Sequence, residues 1–130
     1  MKWLLALSLI VTSLLAEYAD QPIDQKLINS KIKIIDIRTA GEWKTTGLVK
    51  GSIPIMFFDE QGNYNMEAFL GELNKKVNKN ERFALICNSG NRSHTLGSYL
   101  GNQLGYNVIN VLGGIQSAIG KKLPLEPYKL

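Results

Sequence analysis

Apolar positions along the chain fall into three kinds of run. The first kind is short and nearly unbroken: Ile34-Ile35 with Ile37, Phe83-Ala84-Leu85-Ile86, and Val108-Ile109 with Val111. Runs of that length suit strands buried on both faces. They predict strands at 31–37, 83–86 and 108–111, with a further short strand at 53–58. The second kind repeats at helical spacing. Met66, Phe69, Leu70, Leu73 and Val77 make a stripe at i, i+3, i+4, i+7 and i+11, a core face behind an Asn65 cap. Leu96, Tyr99, Leu100 and Leu104 make another, closed by Gly105. Shorter helices are expected at 23–29, 40–45 and 115–120. Residues 17–22 read as a polar lead-in, 47–54 as a loop, and 59–64 and Gly113-Gly114 as turns. Strands alternating with helices imply an α/β fold, a central parallel sheet with helices on both faces. Ligands of such sheets bind beyond the carboxyl ends of the strands.

The third kind of run stands apart. Trp3 to Leu15 is almost wholly apolar, has no polar face, and follows the basic Lys2. This is the layout of a secretory signal peptide over 1–16, ending at Ala16, with a single domain over 17–130. The run is short for a membrane span, which needs about 20 residues. An uncleaved anchor is the competing reading, the one case in which a membrane would be a partner. Export, to a periplasm in a bacterium, is the expectation.

Length and composition add limits. At 130 residues and 45% hydrophobic, the chain is long enough for one proper core. The net charge of +4 is mild and its basic residues are scattered, so nucleic acid is not an expected partner. Lys75, Lys76 and Lys79 suit the negative end of their helix and otherwise form a solvated face. With one histidine and one cysteine, no metal centre is expected. A single cysteine in an exported chain cannot form an internal disulfide, which marks it as a reactive thiol.

That cysteine, Cys87, lies between the strand at 83–86 and the helix beyond Ser93. The segment Asn88, Ser89, Gly90, Asn91 separates it from Arg92. A thiol is a weak nucleophile until it ionises. A helix N-terminus offers unpaired N–H groups and partial positive charge, and Arg92 adds a full charge. Both favour the thiolate, and the same donors would hold an anionic substrate or a charged intermediate. Gly90 lets the backbone turn tightly enough for its N–H groups to face inward. A lone buried thiol is also often a mere core residue. Asp36 and Arg38 fall at the end of their strand and read first as a structural ion pair, with support of the site as the second reading. Glu42 lies within i,i+4 reach of Arg38. His94 reads as an exposed residue of the helix's first turn, with service as a base for Cys87 as the rival.

The segment Cys87-Asn88-Ser89-Gly90-Asn91-Arg92-Ser93 resembles the active-site loop of rhodanese-like sulfurtransferases. Ile34-Ile35-Asp36-Ile37-Arg38-Thr39-Ala40-Gly41-Glu42-Trp43, followed by Gly47 to Ile55, resembles the family's first half-motif. Gly105-Tyr106-Asn107-Val108, then Leu112-Gly113-Gly114-Ile115 and Leu123-Pro124, resembles its C-terminal end. The likeness implies the rhodanese fold and a sulfur carried on Cys87 as a persulfide. The loop from Asn88 to Ser93 would hold the anion. It implies no organic cofactor, a small sulfur-donor anion (thiosulfate, a persulfide or a polysulfide), and a thiol or protein acceptor. A monomer is expected. The chain departs from the family at Leu48, often histidine, and at Ala118, often tryptophan. It departs also at Asn88, where active members commonly carry arginine. A non-catalytic sulfur-anion binder, carrier or sensor is therefore the alternative. Cysteine phosphatases and arsenate reductases share the thiolate-and-arginine logic. The loop of the protein phosphatases is longer than the four residues present here, which make a smaller cradle.

Overall fold

A computed structural model describes residues 17–129; the leader read at 1–16 lies outside the described residues. In chain order the elements are β1 (Tyr18–Pro22), α1 (Gln25–Asn29), β2 (Lys33–Asp36), α2 (Ala40–Thr46), β3 (Leu48–Val49), β4 (Ile53–Pro54), α3 (Met66–Lys76), β5 (Phe83–Ile86), α4 (Asn91–Asn102), β6 (Val108–Leu112), α5 (Gly114–Gly120) and β7 (Leu125–Glu126). Five strands form one sheet in the order β1-β6-β5-β2-β4, every pair parallel.

Side chains on a strand alternate between faces, and that alternation builds two cores. From the β5 segment, Phe83, Leu85 and Cys87 enter the core made with Phe69 and Leu73 of α3 and Leu96 and Leu100 of α4. Ala84 and Ile86 enter the opposite core with Leu27 of α1 and Ile115 and Ala118 of α5. β2 and β6 divide in the same way, Ile35 and Val108 to the first core, Ile34, Ile109 and Val111 to the second. Each fully buried Ile, Leu, Val or Phe among them contributes about 1.5–3 kcal/mol. The unbroken apolar runs exist because both faces of these strands are covered.

Three differences from the sequence reading stand out. Residues 18–22 are not a lead-in but the edge strand β1, paired along its length with β6. Its side chains are mostly exposed or half-buried, so no apolar run announces it. Tyr18 lies on α4 where Gly97 and Gly101 leave room; a Cβ at either would press into Tyr18, at 3.0 and 2.8 Å. Within the loop expected at 47–54, Leu48 and Val49 pair antiparallel with Leu125 and Glu126 of β7. The strand expected at 53–58 is regular only over Ile53–Pro54. Two further bonds, Ile55 N–H to Asp36 O and Phe57 N–H to Ile37 O, carry the chain along β2 before Phe57 and Phe58 turn into an aromatic cluster with Tyr64.

The carboxyl ends of β2, β5 and β6 deliver Asp36, Cys87 and Gly113 to the same edge of the sheet. The candidate site is assembled there.

Candidate active site

Cys87 leaves β5 and the chain turns at Gly90, the residue preceding α4, which sits in the left-handed region at φ 100°. The loop's outward carbonyls are capped from a second side. Ile115 N–H donates to the Cys87 carbonyl at 2.8 Å and Gln116 N–H to the Asn88 carbonyl at 3.1 Å. Gly114 permits that approach, because a Cβ there would collide with both carbonyls. With its carbonyls committed to α5, the loop turns its N–H groups toward the sulfur. Gly90 N–H donates to Cys87 Sγ at 3.2 Å and Ser93 N–H at 3.4 Å, with the Ser93 hydroxyl at 3.3 Å. Cys87 is free and 1% exposed. Its sulfur thus faces two backbone donors, the groups that a sulfur anion uses, with the Ser93 hydroxyl beside them.

The rim of the loop is polar. Ser89 and Asn91 are exposed, and Asn88 is half-buried with its Oδ1 accepting from Gln116 Nε2 at 2.9 Å. Arg92 does not stand over the sulfur as a lone cation. Its guanidinium makes a two-bond fork to Glu42, at 2.8 and 2.7 Å. Glu42 is therefore not the i,i+4 partner of Arg38. Arg38 precedes the helix, so helical spacing does not apply to it. Glu42 is the third residue of α2 and closes a capping box on Thr39, which aims its carboxylate back toward the loop. The Arg92 fork holds the Glu42 carboxyl down to about 2, against burial that would raise it. The same pair raises the Arg92 guanidinium above its ordinary value, with a smaller contribution from Cys87. Much of the positive charge expected at the sulfur is offset within the protein.

Asp36 and Arg38 form a second pair, wholly buried at 0% exposure each. Arg38 Nε and Nη2 donate to the two Asp36 oxygens, Nη1 to Thr46 Oγ1 and Nη2 also to the Gly47 carbonyl. Trp43 Nε1 completes the Asp36 shell at 3.0 Å. The pair ties β2 to the middle and the C-terminal end of α2, the helix that carries Glu42. His94 is exposed, its Nδ1 2.7 Å from the Tyr18 hydroxyl, while the sulfur's bonds go to Gly90 and Ser93. Among the described residues no cluster of three or more His, Cys, Asp or Glu side chains is placed to hold a metal ion.

Residues 15–120 match the family model of the rhodanese-like domain. The chain belongs to the rhodanese-like family. An uncharacterized protein of Rickettsia prowazekii is 31% identical over 94 residues, covering 69% of this chain and 74% of that one. A rhodanese-like domain protein from Staphylococcus aureus superposes with a TM-score of 0.58 at 28% identity, covering 81% of this chain and 90% of that one. A rhodanese-related protein from Thermoplasma volcanium gives 0.60 at 28% identity, covering 83% and 99%. Within this rhodanese-like domain, three residues near the loop escape a reading by sequence. Glu42 is 50 positions from Arg92, and only its place three residues after a threonine cap hints at its direction. Asn110, a buried amide in an otherwise apolar strand, meets Ser93 from β6, and Asp20, on an edge strand without apolar pattern, meets Asn110 from β1.

Proposed function

We propose that the chain is an exported sulfurtransferase that carries sulfane sulfur on Cys87. The observation that supports this best is the convergence of the Gly90 and Ser93 N–H groups on a free, buried sulfur. In the first half-reaction the Cys87 thiolate attacks the outer sulfur of the donor. A Cys87 S–S bond forms, and the donor's own bond to that sulfur breaks. With thiosulfate, sulfite leaves with the bonding electron pair. The loop amides then hold the negative terminal sulfur of the persulfide. In the second half-reaction an acceptor thiolate attacks that sulfur, and Cys87 departs as thiolate with the electrons of the broken bond. No organic cofactor enters either step. Intact mass after incubation with thiosulfate or polysulfide tests the reading: one added sulfur atom is expected, absent from Cys87→Ser. An unchanged mass with both donors would refute sulfur carriage.

The Arg92–Glu42 fork, together with the neutral Asn88, favours a second reading: a carrier or sensor loaded from a persulfide, with slow turnover of thiosulfate. We place the working protein outside the cytoplasm as a monomer beginning near Glu17. N-terminal sequencing that recovered Met1 from native membranes would show an anchor instead.

A further inference from the structure

The Ser93 hydroxyl has one proton and three neighbours able to accept it. These are Asn110 Oδ1, the Gly90 carbonyl at 3.3 Å and the Cys87 sulfur at 3.3 Å. Asn110 is the closest of the three. Its amide presents oxygen to Ser93 because its other end is already engaged. Asn110 Nδ2 donates to Asp20 Oδ1 at 3.0 Å, and a carboxylate can only accept. The hydrogen-bond network thus assigns the amide's orientation. Asp20 also accepts from the Tyr18 hydroxyl at 2.8 Å. These two donors hold its carboxyl below the ordinary carboxylate range. Asn110 is 2% exposed, whereas the Asp20 side chain is 43% exposed.

We propose that Asp20 is a positioning residue for Cys87: by locking the Asn110 amide it draws the Ser93 proton away from the sulfur. In this arrangement Ser93 accepts from the Cys87 thiol. It donates to the sulfur anion only by abandoning Asn110, which then faces Ser93 with an unpaired buried oxygen, a costly state. Remove the carboxylate and the amide can turn, offering N–H to Ser93 and freeing the hydroxyl proton for sulfur. The charged and titratable groups around the sulfur and this relay are Arg92 and His94 on α4, Glu42 on α2, Asp36 with Arg38 at the end of β2, and Asp20 with Tyr18 on β1. Of these, Asp20 is the carboxylate that accepts from the Asn110 amide nitrogen, with the Tyr18 hydroxyl beside the same amide.

The inference rests on Cys87 as the reacting atom of the proposed transfer, but alkylation needs no sulfur donor, so it can fail while transfer stands. The measurement is the rate of Cys87 alkylation by iodoacetamide against pH. Asp20→Asn changes an exposed side chain to an isostere that can donate or accept. Its profile midpoint is expected to move acidward by about half to one pH unit, the equivalent of one net hydrogen bond. In a Ser93→Ala background the same substitution should leave the midpoint in place. An unmoved midpoint in the single variant overturns the proposal. So does a shift that survives without Ser93, because that would be the through-space effect of a lost charge.

Discussion

Two arginine–carboxylate pairs bracket α2, and they are built to opposite ends. Arg38 and Asp36 sit at 0% exposure with donors and acceptors matched: both carboxylate oxygens, a threonine hydroxyl, a carbonyl and an indole N–H take part. Arg92 and Glu42 have a better fork, yet their side chains are 29% and 31% exposed. Burial makes the first pair indispensable without making it a large net gain, since removing both charges from water costs several kcal/mol. Exposure makes the second pair weak in stability but adjustable. In the transfer proposed above, its balance of charge would bear on which donors load Cys87.

The largest effect expected from this comparison comes from splitting the buried pair. Arg38→Met leaves the buried Asp36 carboxylate without its counter-ion and should cost about 3–5 kcal/mol in urea unfolding. Arg92→Met leaves Glu42 in reach of water and should cost no more than about 1 kcal/mol. Equal losses would mean that burial does not separate the two pairs.

The same contrast separates what is legible in the sequence from what is not. Asp36 and Arg38 are two residues apart at a strand end, so their pairing was legible. Glu42 and Arg92 come from different halves of the chain, and local spacing instead pointed Glu42 at Arg38. Strands β2, β5 and β6 declared themselves because both faces are buried, and α3 because one face is. β1 did not. An edge strand is held by backbone bonds along one side, which impose little on its side chains. Its one clear mark was indirect, the Gly97 and Gly101 spacing on α4 that seats Tyr18. β3 and β7, two residues each, depend on partners more than seventy positions apart. At the site, the turn of the Cys87-to-Ser93 loop was legible because its left-handed position at Gly90 calls for glycine. The amide relay behind it was not, because Asn110 and Asp20 meet only across the sheet.

A smaller effect should follow from adding charge beside the exposed pair. With the Arg92 charge offset by Glu42, thiosulfate, a dianion, meets the sulfur with little help. An arginine at position 88 would supply what the fork withholds, a charge-assisted hydrogen bond of about 1.5–3 kcal/mol. Asn88→Arg should raise kcat/KM for thiosulfate about tenfold or more, since ~1.4 kcal/mol is a factor of ten. Loading from a polysulfide should change less. A wild type that already handles thiosulfate well, unaltered by Asn88→Arg, would show that charge at this rim does not set donor choice.

The smallest effect is the most direct reading of the fork itself. The Glu42 carboxyl is held down to about 2 from an ordinary 4.5, first by the Arg92 hydrogen bonds. A carboxyl depressed on folding stabilises the folded state above its unfolded value and loses that contribution as pH falls through its folded value. The fork's contribution should therefore be constant above about 4.5 and fade between 4.5 and 2. Because both side chains are about a third exposed, solvent screening keeps it near the range of surface pairs. Glu42→Gln removes the titrating group while keeping the side chain's length. Comparing unfolding of the two proteins across pH isolates this one group from the other carboxylates. The stability gap between them should be flat at neutral pH and narrow steadily below 4.5. A gap that stays flat from neutral pH down through 4.5 and below would mean that Glu42 titrates as an ordinary carboxyl, and that the fork does not hold Arg92 away from the sulfur.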